Sequence, residues 1–469
     1  MIAGVNARTD RLPALAVVGH TNVGKTSLMR TLMRDARFGQ VAPTAATTRR
    51  VERARLLADG RPVLELFDTP GLEDAGGLIE LLERSARARH AGPERIRAFL
   101  ASSHAKGRFE QEARVLRQVL DSDAILYVVD VREPVLGKYQ DELAAIALGA
   151  RPVLPVLNFT ADARSRTDAW RAALARVGLH AVAEFDTVVF SLAAEATLWR
   201  RLATLSEAQA PALERLITDR EAQAAWQAAS ARRLIAELLV EVAAARRLAP
   251  RDDAAAIDQA RADLERAVAE REHAFVEQLL ALFRFCEDDY RDVPLPIGRE
   301  GWATDPFDPR TLALAGPRAG GGAAAGAAAG AAVALAAGGL SLGAGTVIGA
   351  LTGGGAGAAW LYRRRLGDRL RGRTSIVADD AALTVIAARA FALLDALRQR
   401  GHAATAPVRV TEALPDPWPQ RGLPAALVRA RMQPECSVLN QRRPHAEKRR
   451  ALVDRLVDAL VAGGRAGRS

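Results

Sequence analysis

Gly19-His20-Thr21-Asn22-Val23-Gly24-Lys25-Thr26 is the stretch of this chain whose residue types and spacing most clearly carry chemistry. It has the form Gly-x-x-x-x-Gly-Lys-Thr. Glycines let a backbone wrap an anion, and successive N–H groups at a helix start point at it. A lysine at this position reaches the β- and γ-phosphates of a nucleotide, and the following hydroxyl serves Mg²⁺. Gly19, Asn22, Val23, Gly24, Lys25, Thr26 and Ser27 are therefore expected to line a triphosphate site. Such a loop needs a strand before it and a helix after it. Leu15-Ala16-Val17-Val18 reads as the strand and Ser27–Leu32 as the helix.

Asp68-Thr69-Pro70-Gly71 extends the constellation. An aspartate ending an apolar strand suits a water-mediated Mg²⁺ contact, and a glycine N–H shortly after it suits a γ-phosphate. Thr48, within Thr47-Thr48-Arg49, is expected to close over the metal in the triphosphate state. The expected metal set is Thr26, Thr48 and Asp68. The expected catalytic set is Lys25, Thr48 and Gly71.

These residues need a scaffold. The segment 12–210 alternates strand-like and helix-like runs, which predicts a mainly parallel sheet covered by helices, an α/β fold. Arg50–Ala58 and Pro62–Phe67 flank Asp59-Gly60, a hairpin signal. Ala124–Asp130, Pro152–Leu157 and Thr187–Phe190 read as further strands. The charged segment Ile79–Leu120 reads as a solvated helical insertion, and His20 as a solvent-facing spacer.

Beyond residue 210 the periodicity becomes helical and predicts an all-α C-terminal half. Trp226, Leu234, Leu238 and Val242 form one stripe; Leu264, Val268, Phe275, Leu279 and Leu282 form another, with Pro250 between them. Residues 211–292 thus read as a helical hairpin and 293–318 as a Pro-rich linker. Asp379–Arg400 and Ala446–Val461 read as amphipathic helices within a partly disordered 363–469.

The tract 319–362 contains no charged residue and is dominated by Ala and Gly. Gly322, Gly326 and Gly330 repeat every fourth residue, as do Gly345, Gly349, Gly353 and Gly357, so each set lies on one helix face. The tract is long enough for two spans of about 20 residues. Arg318 before it and Arg363-Arg364-Arg365 after it would place both ends on the cytoplasmic side. Ala and Gly drive insertion weakly, so a packed soluble helical pair stays open as the alternative.

Composition narrows the classes. The 469 residues carry 65 basic and 55 acidic side chains, a net charge of +10, which favours anionic partners. Two cysteines, Cys286 and Cys436, give neither a disulfide framework nor a zinc cluster, as suits a reducing cytoplasm. Met1–Leu12 carries charges and no apolar core, unlike a secretory signal.

On Gly-His-Thr-Asn-Val-Gly-Lys-Thr, Thr-Thr-Arg and Asp-Thr-Pro-Gly-Leu, the chain resembles the Era/TrmE group of P-loop GTPases. With Arg108–Ala113, Arg132–Leu136, Leu154–Phe159 and the Gly/Ala tract, it resembles a bacterial family of GTP-binding proteins carrying a C-terminal domain of unknown function. The resemblance implies a P-loop NTPase fold, GTP and GDP as ligands, Mg²⁺ as cofactor and GTP hydrolysis.

Two departures from the pattern follow. The guanine-reading Asn-Lys-x-Asp appears as Asn158-Phe159-Thr160-Ala161. Asn158 fits, Phe159 can cover the base, and Ala161 stands where the guanine-pairing acid belongs; Asp162 is the nearest substitute. Ser191 begins the nearest match to the last base motif. Leu72 follows Gly71 where Ras-like switches carry a water-orienting glutamine. The resembling groups hydrolyse by other means, some with K⁺ held by an Asn at the position of Asn22, which makes K⁺ stimulation an expectation here. With no glutamine after Gly71, a slow intrinsic rate is expected, and a homodimer through the G domain is a further expected partner.

The reading favoured is a GTP-driven switch, cytoplasmic and associated with the inner membrane through 319–362. A ribosome- or RNA-bound GTPase and a nucleotide-binding structural protein are the alternatives. No Gly-x-x-Gly loop in a βα context supports nucleic acid.

Overall fold

Alternate residues of a strand face opposite sides of its sheet. In Ala14–Val18 (β1) every residue is apolar and buried, so both faces of this strand must be covered. Leu15 and Val17 enter one hydrophobic core, and Ala16 and Val18 enter another. The computed structural model describes residues 11–35, 38, 51–84, 92–285, 297–298, 301–302, 372–404, 417–418, 422–440 and 443–466. Thr48, Cys286 and the tract 319–362 lie outside the described residues.

The chain divides into two units. One comprises Met1–Ala225 with Gln399–Ala406; the other comprises Trp226–Arg398 with Pro407–Ser469. The first holds β1, α1 (Lys25–Met33), β2 (Glu52–Ala58), β3 (Arg61–Asp68), α2 (Ala75–Arg84), α3 (Gly92–Leu100), α4 (Glu110–Asp121), β4 (Ala124–Asp130), α5 (Gly137–Ala147), β5 (Val153–Asn158), α6 (Thr167–Arg176), β6 (Ala183–Glu184) and α7 (Leu192–Leu205). Its sheet order is β2-β3-β1-β4-β5-β6. Only β2 runs antiparallel to its neighbour, through the expected hairpin. All other pairings are parallel. Ligands of such sheets bind beyond the C-terminal strand ends. Val18, Asp68, Asp130 and Asn158 end β1, β3, β4 and β5 there.

Two expectations change in the first unit. Thr187–Phe190 is not a strand of the sheet. Asp186 turns the chain by accepting from Val188 N and Val189 N, leaving both valines exposed. A single antiparallel bridge joins Val189 to Arg400, flanked by Phe190 N donating to Gln399 O and Gly401 N donating to Val188 O. The insertion after Gly71 is less solvated than its charge suggests. Leu78, Leu82, Ile96, Phe99, Phe109 and Leu116 form a hydrophobic cluster of their own.

α8 (Ala210–Ala244) begins in the first unit and ends in the second. The second unit continues with β7 (Arg247–Pro250), α9 (Ala254–Leu282), β8 (Ile297–Gly298), β9 (Gly301–Trp302), β10 (Arg373–Ile376), α10 (Asp380–Arg398), α11 (Ala425–Arg431) and α12 (Ala446–Ala466). It is helical, as expected, with an added antiparallel β7–β10 ladder. α10 is less amphipathic than expected: its sequence is apolar on nearly every side, and twelve of its residues are buried. Trp226 does not join the apolar stripe, being 64% exposed.

Buried Glu241 ties three helices together. Arg271 of α9 and Arg449 of α12 both donate to its carboxylate, Arg449 through Nε at 3.0 Å. Removing one member of such a cluster strands the others. Glu241→Leu is expected to destabilise the protein by about 3 kcal/mol. Urea denaturation followed by far-UV circular dichroism measures this.

Candidate nucleotide site

Gly24 has φ +94°, a left-handed conformation that favours glycine, and it starts α1. An added Cβ would lie 2.4 Å from Asn158 Nδ2, so close approach also requires glycine here. Asn22 is left-handed too, at φ 66°. These turns bring Lys25 beneath the loop, where its ammonium donates to Gly19 O at 3.0 Å and His20 O at 2.7 Å. Burial pushes the Lys25 pKa down to about 8, against the attraction of Asp68, Glu142 and Glu73. A buried ammonium held by carbonyls is poised for an anion. Ser27 follows on the first turn of α1, partly buried.

Asp68 is fully buried at the end of β3. Thr26 Oγ1 donates to its Oδ2 at 2.6 Å, while Oδ1 has no hydrogen-bond partner among the described residues. Burial pushes the Asp68 carboxyl up to about 6, opposed by the Thr26 hydroxyl and the Lys25 ammonium. A hydroxyl beside a carboxylate with an unsatisfied oxygen is an oxygen donor set that fits Mg²⁺. Mg²⁺ keeps several waters and needs few protein ligands, so the lack of a larger acidic cluster among the described residues is consistent with it. Thr26 and Asp68 are thus brought together as expected; Thr48 lies outside the described residues.

Gly71 packs directly on the loop: a Cβ would meet Thr21 Oγ1 at 2.3 Å and Thr21 N at 2.6 Å. Gln111 Nε2 donates to Gly71 O at 2.7 Å. Leu72 is fully buried. His20 is a connector rather than a spacer. Its Nδ1 lies 2.8 Å from Leu72 O and 2.7 Å from Glu142 Oε1, both acceptors, so this nitrogen carries the proton. Tyr127 donates to Glu142 Oε2 at 2.8 Å. Sequence reasoning missed Glu142 because its partners are 122 and 15 residues distant in the chain.

On the base side, Asn158 Nδ2 donates to Val23 O at 3.0 Å, and its Oδ1 accepts from Thr187 N at 3.0 Å and Phe159 N at 2.9 Å. Phe159, left-handed at φ 61°, lies beside Gly24 and beneath the Arg132 guanidinium, 3.8 Å from its ring centroid. Ser191 N-caps α7, its hydroxyl accepting from Ala194 N. The residue set against Asn158 is Thr187. Asp162 is engaged by Arg164, through Nε at 3.0 Å and NH2 at 2.9 Å. These bonds hold its carboxyl below the usual carboxylate range.

This loop, sheet order and acidic strand end define a P-loop GTPase domain. Residues 14–159 match the family model described as a 50S ribosome-binding GTPase, so the domain is a GTP-binding one. Residues 171–458, more than half of the chain, match the model of a domain of unknown function, DUF3482; the chain belongs to that family.

Among solved structures, the chain is similar to Era in complex with MgGDPNP and nucleotides of 16S ribosomal RNA, at 16% identity and TM-score 0.28, covering 38% of this chain and 51% of that one. It is also similar to an Aquifex aeolicus Era variant bound to GDP and AlF₄⁻, at 18% identity and TM-score 0.27, with the same coverage. The G domain of the T. maritima FeoB iron transporter matches at 16% identity and TM-score 0.22, over 38% of this chain and 88% of that one. The chain thus spans about half the length of the Era structures it matches. No curated protein sequence matches it.

The Asp68 pKa has a consequence for stability. Its folded value of about 6 exceeds the ordinary 3.8, so the fold favours the protonated acid. Stability of the metal-free protein therefore falls as pH rises from about 4 to about 6, and the cost is complete above that. Asp68→Asn is expected to stabilise the metal-free protein at pH 7.5 by up to about 3 kcal/mol. The gain should shrink as pH is lowered to 5. Urea melts in EDTA at both pH values measure it, and an equal gain at both would contradict the assignment.

Proposed function

We propose that the chain is a GTP-driven molecular switch with slow intrinsic hydrolysis. The observation that carries this reading is Leu72. It sits directly after Gly71, is fully buried, and its carbonyl is bound by His20. No side chain at that position is available to orient an attacking water. The loop and Lys25 bind the β- and γ-phosphates, and Gly71 N–H serves the γ-phosphate. Thr26, Asp68 and Thr48 would hold Mg²⁺, which would supply charge neutralisation on the phosphates. Loss of the γ-phosphate would release Gly71, and with it the segment from Asp68 to Ala75.

Asn22 is exposed at the mouth of the loop, where it can hold K⁺ in place of a catalytic glutamine. Resemblance to the Era/TrmE group supports this role. The uncharged tract 319–362 supports action at the inner membrane. No helix among the described residues is long and apolar enough to cross a membrane, and this tract is outside them. The 50S ribosome-binding description of the matched family model supports the ribosome as the competing destination.

Single-turnover GTP hydrolysis by the full chain tests the switch. In NaCl the rate is expected to be on the order of 10⁻³ s⁻¹ or lower, as for unassisted switches. KCl should raise it at least several-fold, and equal rates in both salts would remove the K⁺ role. Lys25→Ala should abolish tight triphosphate binding. Flotation with anionic vesicles should retain the full chain and lose a variant lacking 319–362; recovery only with ribosomes would refute the membrane reading.

A further inference from the structure

Ala161 leaves the expected base-reading position without an acid, and Asp162 is committed to Arg164 and lies 4.0 Å from Arg132. A different carboxylate reaches this place. Asp186, only 8% exposed, follows β6 and points back across the base side of the site. Its Oδ2 accepts from Ala161 N at 3.0 Å, so it touches the backbone of the position that ordinarily supplies the acid. Its Oδ1 is taken by Val188 N at 2.8 Å and Val189 N at 3.0 Å. Each carboxylate oxygen accepts about two hydrogen bonds. One acceptor position on Oδ2 is thus left among the described residues. The next residue, Thr187, is fixed to Asn158, which in turn holds the phosphate loop at Val23.

We propose that Asp186 is the base-reading carboxylate of this site, supplied from the loop after β6 in place of the one after β5. It rests on the GTPase reading above. Guanine presents donors at N1 and at the exocyclic amine on C2, both complementary to a carboxylate. Adenine presents an acceptor at N1 and is repelled. Xanthine carries a carbonyl on C2, which repels a carboxylate and accepts from an amide. Asp186 therefore excludes both, and Phe159 contributes a face for stacking that is indifferent to the base.

The test is equilibrium binding of fluorescent GTP, XTP and ATP analogues to the full-length chain. The unmodified protein should prefer GTP over XTP by about 10-fold or more, the value of a charged hydrogen bond. Asp186→Asn should weaken GTP and strengthen XTP, inverting the order. Ala161→Asp is a second variant that leaves Asp186 and its backbone partners in place. If Asp186 already reads the base, a second carboxylate repels it and GTP affinity falls; if nothing reads the base, selectivity for GTP rises. An Asp186→Asn protein with an unchanged GTP-to-XTP ratio, including equal loss of both, overturns the proposal. So does a rise in GTP selectivity for Ala161→Asp. Absence of triphosphate binding by the unmodified chain sinks the GTPase reading together with this one; tight GTP binding without inversion sinks this one alone.

Discussion

The carboxamide of Asn158 is the interaction on which the nucleotide site depends. One side chain, fully buried, donates to the phosphate loop at Val23 and accepts from Thr187 on the far side. It stands at the end of β5, next to Asp130 at the end of β4. A carboxamide donates through its nitrogen and accepts through its oxygen at one point, which a carboxylate cannot do. Three loops that are distant in sequence thereby share a single register. In a buried setting each bond lost leaves a stranded backbone group, at a cost of about 1–3 kcal/mol. Gly24 has no side chain because this carboxamide occupies the space.

The phosphate side of the site was legible in the sequence because its grammar is local. Gly19, Gly24, Lys25 and Thr26 lie within eight residues, and Asp68 and Gly71 stand at and just after the end of a strand that its own apolar run declares. The parallel sheet was legible for the same reason. Interactions made by tertiary placement were not. The loop after β6 reads as Thr-Val-Val-Phe, a strand by composition, but the Asp186 carboxylate claims its N–H groups and turns it outward. His20 reads as filler between two glycines, and only the fold brings Glu142 to it. In the second unit, helix α10 was placed closely, but the burial of twelve of its residues comes from neighbours that the sequence does not display.

Charge in both units is arranged for burial. Glu195 in the first unit lies against Arg34 at 3.0 Å and Arg220 at 3.5 Å, and Glu241 in the second against Arg271 and Arg449. Each acid is shared by two arginines, which offer planar sets of donors and lose little water when paired. Such clusters contribute less to net stability than apolar packing of equal volume, and they penalise misplaced helices heavily. Arginine-rich composition and a basic net charge thus coexist with a fold in which much of the positive charge is internally matched.

The pairing of Gln399–Gly401 with Val188–Phe190 gives the order of synthesis a part in the completion of the site. The strands of the sheet, the phosphate loop and Asn158 all precede residue 190 in the chain. The backbone partners of the base loop arrive only after α10, when most of the chain has been made. Until then, Val188 O and Phe190 N have only water to bond. The phosphate loop and the backbone partners of the loop after β6 thus come from opposite ends of the chain's order. A chain cut short before residue 399 carries the phosphate-loop motif without these backbone partners of the loop after β6.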